Sequence, residues 1–200
     1  MTSETLYNLI LTTAQENTAI LMIGSEGSRN DPTVTPDQYQ DFDITYFVSD
    51  DVFPTFAVFD RSRFGDMMIQ QILPEKNRWC WLMQFMDGNR LDLKIQPVSV
   101  VPDYLAEDTL NTILLDKTGH YTNLTATSDR THWVQRPTQS EFDDSITEFF
   151  WVSTYVLKGI LRGELLYANT FFESIVREEL YRLLTWRIGR DTDFSLSVGK

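Results

Sequence analysis

The chain has 200 residues, 42% of them hydrophobic and 13% aromatic, enough to bury a substantial core and well outside the composition of a disordered segment. Its 17 Lys and Arg against 29 Asp and Glu give a formal charge of −12, which argues against a nucleic-acid binder, because neutralising a phosphate backbone needs a basic face. The single cysteine, Cys80, excludes an intramolecular disulfide and, lying between Trp79 and Trp81, reads as a buried thiol of a reducing compartment.

Met1 to Glu4 has no basic region, and Leu6 to Leu11 is too short and polar-flanked to export the chain or span a membrane, so no membrane role and a cytoplasmic setting are expected. Leu6, Leu9, Ile10 and Ala14 recur at helical spacing from Ser3 to about Gln15, which predicts a first helix with Ser3 as its cap. Ala19 to Ile23 reads as a strand broken by Gly24 to Gly27, and Asp41 to Val48 as a second strand. Val52 to Phe64 is helix or loop, and Met67 to Leu73 is strand-like. Trp79 to Met86 and Arg90 to Pro97 are joined by Asp87-Gly88-Asn89, a strong hairpin signal.

Pro102 to Arg136 is polar and reads as a connection with short helices around Leu105 to Leu115. After Pro137, Thr138 with Glu141 three residues later makes a capping box that opens a helix. Phe142, Ile146, Phe149, Phe150, Ser153, Val156, Leu157 and Ile160 keep the helical period as far as Gly163, and a second helix runs from Leu165 to Gly189. The aromatic residues of this stripe are expected in the core rather than on a ligand. The fold class that follows is α+β: a small mixed sheet flanked by helices over residues 1–135, then a helical domain over 136–200.

Asp41 and Asp43 are one residue apart in a strand, so both carboxylates project from one face while Phe42, Ile44 and Tyr46 point into an apolar layer. The same alternation recurs in Arg90 to Ile95, with Leu91, Leu93 and Ile95 buried and Arg90, Asp92 and Lys94 on the other face. Three carboxylates are thereby expected to converge, and such a cluster persists where cations neutralise it. Hard oxygen donors without nearby His or Cys select Mg2+ or Mn2+, commonly shared with substrate phosphates.

Gly27-Ser28, favoured over Gly24-Ser25, supplies a turn that brings backbone N–H groups to phosphate oxygens, with the Ser28 hydroxyl as a further donor and Arg29 as an adjoining cation. Either signal alone also reads as a solvated turn or strand edge. In the order strand, Gly-Ser, Asp-x-Asp, third Asp, they favour a metal–nucleotide site.

Gly27-Ser28-Arg29, Tyr39-Gln40-Asp41-Phe42-Asp43, Asp87-Gly88-Asn89-Arg90-Leu91-Asp92-Leu93, Leu114-Leu115-Asp116-Lys117, Arg136-Pro137-Thr138, Glu141-Phe142-Asp143-Asp144, Trp151 to Gly159 and Phe194 to Lys200 together resemble the aminoglycoside 6-adenylyltransferases. The resemblance implies transfer of AMP from ATP to a hydroxyl of streptomycin, with ATP as co-substrate and two Mg2+ ions. It makes Asp41 and Asp43 metal ligands, Asp92 the third ligand and general base, and Gly27 and Ser28 the cradle of the triphosphate. Lys158 is a candidate phosphate contact, and reads equally as a solvated lysine near a helix end.

The acidic charge suits a cationic antibiotic. Family members continue for several tens of residues past the position of Lys200, so the helical domain is expected to be incomplete here. Two other readings stay open: a transferase acting on another acceptor, and a nucleotide- or metal-binding module without turnover. Nothing in the sequence specifies an oligomeric state.

Overall fold

The two stretches of alternating residues around Asp43 and Asp92 lie side by side in one sheet. A computed structural model describes residues 1–75 and 78–198. Gly199 and Lys200, which close the quoted C-terminal motif, lie outside the described residues. The chain divides into two compact units, Met1–Thr131 and His132–Lys200.

In the first unit, β1 (Ile20–Glu26), β2 (Phe42–Val48), β3 (Met67–Glu75), β4 (Arg78–Phe85), β5 (Arg90–Pro97) and β6 (Thr112–Asp116) form a sheet in the order β3-β4-β5-β2-β1-β6. β2 and β5 run parallel, with Phe42 opposite Leu91 and Val48 opposite Pro97, while the other pairs are antiparallel. The sheet is mixed, and the class is α+β. The β4–β5 hairpin turns through Asp87-Gly88-Asn89, where Gly88 adopts φ +89°.

The helix α1 (Ser3–Glu16) lays Leu6, Ile10 and Ala14 against Ile23, Phe42, Ile44, Tyr46, Leu91, Leu93 and Ile95, so one face of the sheet is the main core. On the opposite face Met22 and Phe47 pack with Val101 and Tyr104 of α2 (Val101–Glu107). That second cluster covers part of the face and leaves the carboxylate-bearing ends of β1, β2 and β5 beside it.

Several local expectations need correction. The cap of α1 is Thr2, whose hydroxyl accepts from the Thr5 amide at 3.1 Å, because the helix already includes Ser3. β1 does not break at Gly24 but runs on to Glu26, since Gly24 and Ser25 pair with Thr45 and Ile44 on one side and with Ile113 and Thr112 on the other. The helical reading of Leu105 to Leu115 holds only as far as Glu107, and Thr112–Asp116 is an edge strand selected by its pairing with β1.

In the second unit, α3 (Gln139–Leu161) opens with the capping box: the Thr138 hydroxyl accepts from the Glu141 amide at 3.2 Å, and the Glu141 carboxylate accepts from the Thr138 amide at 2.8 Å. The second predicted helix is divided into α4 (Leu165–Phe171), a π turn (Phe172–Val176) and α5 (Arg177–Asp191). Gly159 lets α3 approach α4 closely, as a Cβ there would stand 2.9 Å from that of Ala168. The buried Ser145 hydroxyl donates to Glu179 at 2.6 Å, joining α3 to α5.

Here the apolar stripe expected to be core is only partly covered. Val152, Ala168 and Val176 are buried, yet Phe150, Leu157 and Ile160 are each more than half exposed. Three helices cannot wrap all sides of a stripe this wide. Among the described residues, no helix is long and apolar enough to cross a membrane.

Candidate metal and nucleotide site

Asp43 in β2 stands opposite Asp92 in β5 and opposite Glu26 in β1. Directly paired residues of neighbouring strands project from the same face, so three carboxylate residues form a row across the middle of the sheet. Glu26 was not among the residues expected from the sequence. Its signal lay in the alternation Met22, Gly24, Glu26, which becomes visible once β1 is allowed to continue through Gly24. Asp41 immediately precedes β2 and adds a fourth carboxylate.

Two cations share this face. Arg90 grips Asp92 with a fork, donating from Nε to Oδ1 at 3.0 Å and from a terminal nitrogen to Oδ2 at 2.9 Å, while its other terminal nitrogen lies 3.5 Å from Asp41 Oδ2. Lys94 pairs with Glu26, which also accepts from the Thr45 hydroxyl at 2.7 Å. The four carboxylates outnumber the cations near them, Arg29 included, which also acts on Asp41 and Asp43. The excess falls on Asp43: burial, reinforced by Asp92 and Glu26, pushes its carboxyl up to about 6 despite the pull of Lys94. Burial raises Asp41 as well, against the attraction of Arg90.

Gly27 begins a short 3-10 turn, Gly27–Asn30, directly after β1. Its φ of +73° is open to glycine, and a Cβ on it would lie 2.5 Å from Asp43 Oδ2, so the turn abuts the central carboxylate. The Ser28 carbonyl accepts from Gln40 Nε2 at 3.1 Å, tying the turn to the segment that leads into Asp41. Arg29 donates to the carbonyls of Asp41 at 2.8 Å and Gln40 at 2.7 Å and to the Ser3 hydroxyl at 3.1 Å, with its guanidinium 3.7 Å above the Phe42 ring. Asn30 donates to the Leu110 carbonyl at 2.9 Å and closes the turn against the rest of the unit.

The first unit therefore brings Gly27, Ser28, Arg29, Asp41, Asp43 and Asp92 into one neighbourhood. Lys158 belongs to the second unit, near the end of α3, with its ammonium 5.8 Å from the Tyr155 ring. Among the described residues, no three carboxylate, His or Cys side chains gather closely enough to hold a metal ion, and the Arg90 guanidinium stands among the carboxylates. The donor chemistry nevertheless fits a hard divalent cation: the oxygens are carboxylates, they lie on or beside adjacent strands, and they outnumber the cations near them.

A family model described as streptomycin adenylyltransferase matches residues 1–200. The chain belongs to this family. Aminoglycoside 6-adenylyltransferases from Bacillus subtilis (strain 168), Campylobacter jejuni and Staphylococcus aureus are 37%, 36% and 34% identical to it. The matches cover 98%, 97% and 100% of this chain and 72%, 70% and 74% of those proteins. A crystal structure of an aminoglycoside 6-adenyltransferase from Bacillus subtilis is 34% identical, with a TM-score of 0.47, over 98% of this chain and 70% of that one.

Proposed function

We propose that the chain transfers AMP from ATP to a hydroxyl of an aminoglycoside, with streptomycin as the acceptor, releasing pyrophosphate and inactivating the antibiotic. The observation that carries this reading is the pairing of Asp43 with Asp92 on parallel strands, with the Gly27 turn pressed against Asp43. Family membership supports adenylyl transfer as the chemistry.

Asp41, Asp43 and Asp92 would hold Mg2+, two ions in the loaded site, which would neutralise the developing charge and acidify the acceptor hydroxyl. The backbone N–H groups at Gly27 and Ser28 take the triphosphate, and Arg29 keeps that turn in place. Asp92 accepts the proton of the acceptor hydroxyl, a task that needs hydrogen-bond reach to it. The phosphate contact of Lys158 and the substrate-binding role of the helical unit rest on the family resemblance alone. The first unit holds nineteen Asp and Glu against nine Lys and Arg, which draws in a polycationic acceptor and repels nucleic acid. The need for ATP sets the reaction in the cytoplasm.

The test is pyrophosphate release with Mg2+ and ATP against streptomycin, spectinomycin, kanamycin and lincomycin. Release with streptomycin alone is expected. Release with another of the four would replace the acceptor, and ATP binding without release from any would leave a binding module in place of the enzyme.

A further inference from the structure

Arg90 and Asp92 are two residues apart on β5, and the strand period of two sets both side chains on the site face. The same guanidinium that forks onto Asp92 reaches toward Asp41, so one side chain spans two of the three carboxylates assigned to the metal. On the other flank of Asp92, Lys94 is held differently: it and its partner Glu26 are both largely buried. Arg90 is 39% exposed. The two cations of the face are thus unequal, Lys94 being largely buried and Arg90 reaching the surface while holding its carboxylates.

We propose that Arg90 is a partner-switching residue of the nucleotide site: it occupies Asp92 and Asp41 when no nucleotide is bound, and gives them up to the divalent cation as it passes to the triphosphate. The proposal rests on the metal–nucleotide reading given above. Its chemical basis is that a guanidinium fork pairs bidentately with a carboxylate or with a phosphate, so the exchange keeps the geometry of the pair. Its electrostatic basis is that a divalent ion and a guanidinium on the same two carboxylates would repel each other. The consequence is that free metal binds weakly and metal with nucleotide binds strongly, which couples loading of the two.

The experiment is a Mn2+ titration of the full chain, followed by the EPR signal of free Mn2+, with and without a non-hydrolysable ATP analogue. The wild type is compared with Arg90→Gln, Arg90→Lys, Asp43→Asn and Asp92→Asn, each checked for folding by circular dichroism. Arg90→Gln is expected to bind Mn2+ at least tenfold more tightly without nucleotide and to gain less from the analogue. Arg90→Lys, which keeps the charge without the fork, falls between and carries the test alone if the Gln variant does not fold. Mn2+ affinity unchanged or weakened in the Arg90 variants, while Asp43→Asn and Asp92→Asn still abolish binding, overturns the role of Arg90. Binding indifferent to Asp43→Asn and Asp92→Asn overturns the metal site beneath it.

Discussion

A methyl group on Gly27 would stand 2.5 Å from Oδ2 of Asp43, at a backbone φ of +73°. The turn after β1 and the central carboxylate of β2 are therefore built against each other, and neither can change without the other. Gly27→Ala is expected to lower stability by about 1–2 kcal/mol through the left-handed backbone alone. It should also weaken Mg2+-dependent ATP binding at least tenfold by displacing Asp43. Urea denaturation and an ATP titration check the two effects, and an unchanged ATP affinity would detach Gly27 from the nucleotide.

Burial and the neighbouring carboxylates hold Asp43 at about 6 against an ordinary 3.8. The folded state binds this proton more tightly than the unfolded one. The resulting stabilisation is fully present below about pH 4 and is lost as pH rises through 6. Above that window the ionised group costs the metal-free fold up to about 3 kcal/mol. Asp43→Asn should therefore stabilise the metal-free chain by about 2 kcal/mol at pH 8, remove the loss between pH 4 and 6, and abolish any stabilisation by Mg2+. Urea denaturation in chelator at pH 5 and pH 8 reads this, and a variant less stable than wild type at pH 8 would contradict it.

Asp92 is nearly buried beside its partner Asp43 and within the Arg90 fork. Asp92→Asn keeps the shape of the side chain and is expected to retain the fold while losing turnover by several orders of magnitude, since a base or ligand is removed. Single-turnover adenylyl transfer is the measurement. Near-native rates would show the role to be misassigned.

Arg29 spends its guanidinium on two backbone carbonyls, a hydroxyl and an aromatic face. Arg29→Met should destabilise the chain by about 2 kcal/mol and raise KM for ATP while lowering kcat, because the segment bearing Asp41 loosens. Arg29→Lys should not rescue, since a single ammonium cannot span both carbonyls. Restoration of ATP affinity by Lys would instead make a positive charge toward the phosphates the relevant property.

The legible part of the site was the part written in local periodicity. Asp41, Asp43 and Asp92 could be assigned to one face because a strand alternates at every second residue, and the Asp87-Gly88-Asn89 turn and the Thr138–Glu141 box are contained within a few residues. Glu26 was hidden because Gly24 reads as a strand breaker. In the fold Gly24 is needed inside the strand, where a Cβ would meet the Tyr104 hydroxyl at 2.7 Å. That contact joins residues eighty positions apart and leaves no local trace.

The amino-acid sequence by itself determined which side chains alternate, where turns and caps lie, and the family likeness, because these follow from bonds and contacts between near neighbours in the chain. Tertiary structure decided the rest. It set Asp43 between Glu26 and Asp92, turned Thr112–Asp116 into a strand rather than a helix, and placed the Arg90 guanidinium between Asp41 and Asp92. Each of these is a matter of register and of competition among charges brought together from distant segments, and such energies exist only after the sheet has formed.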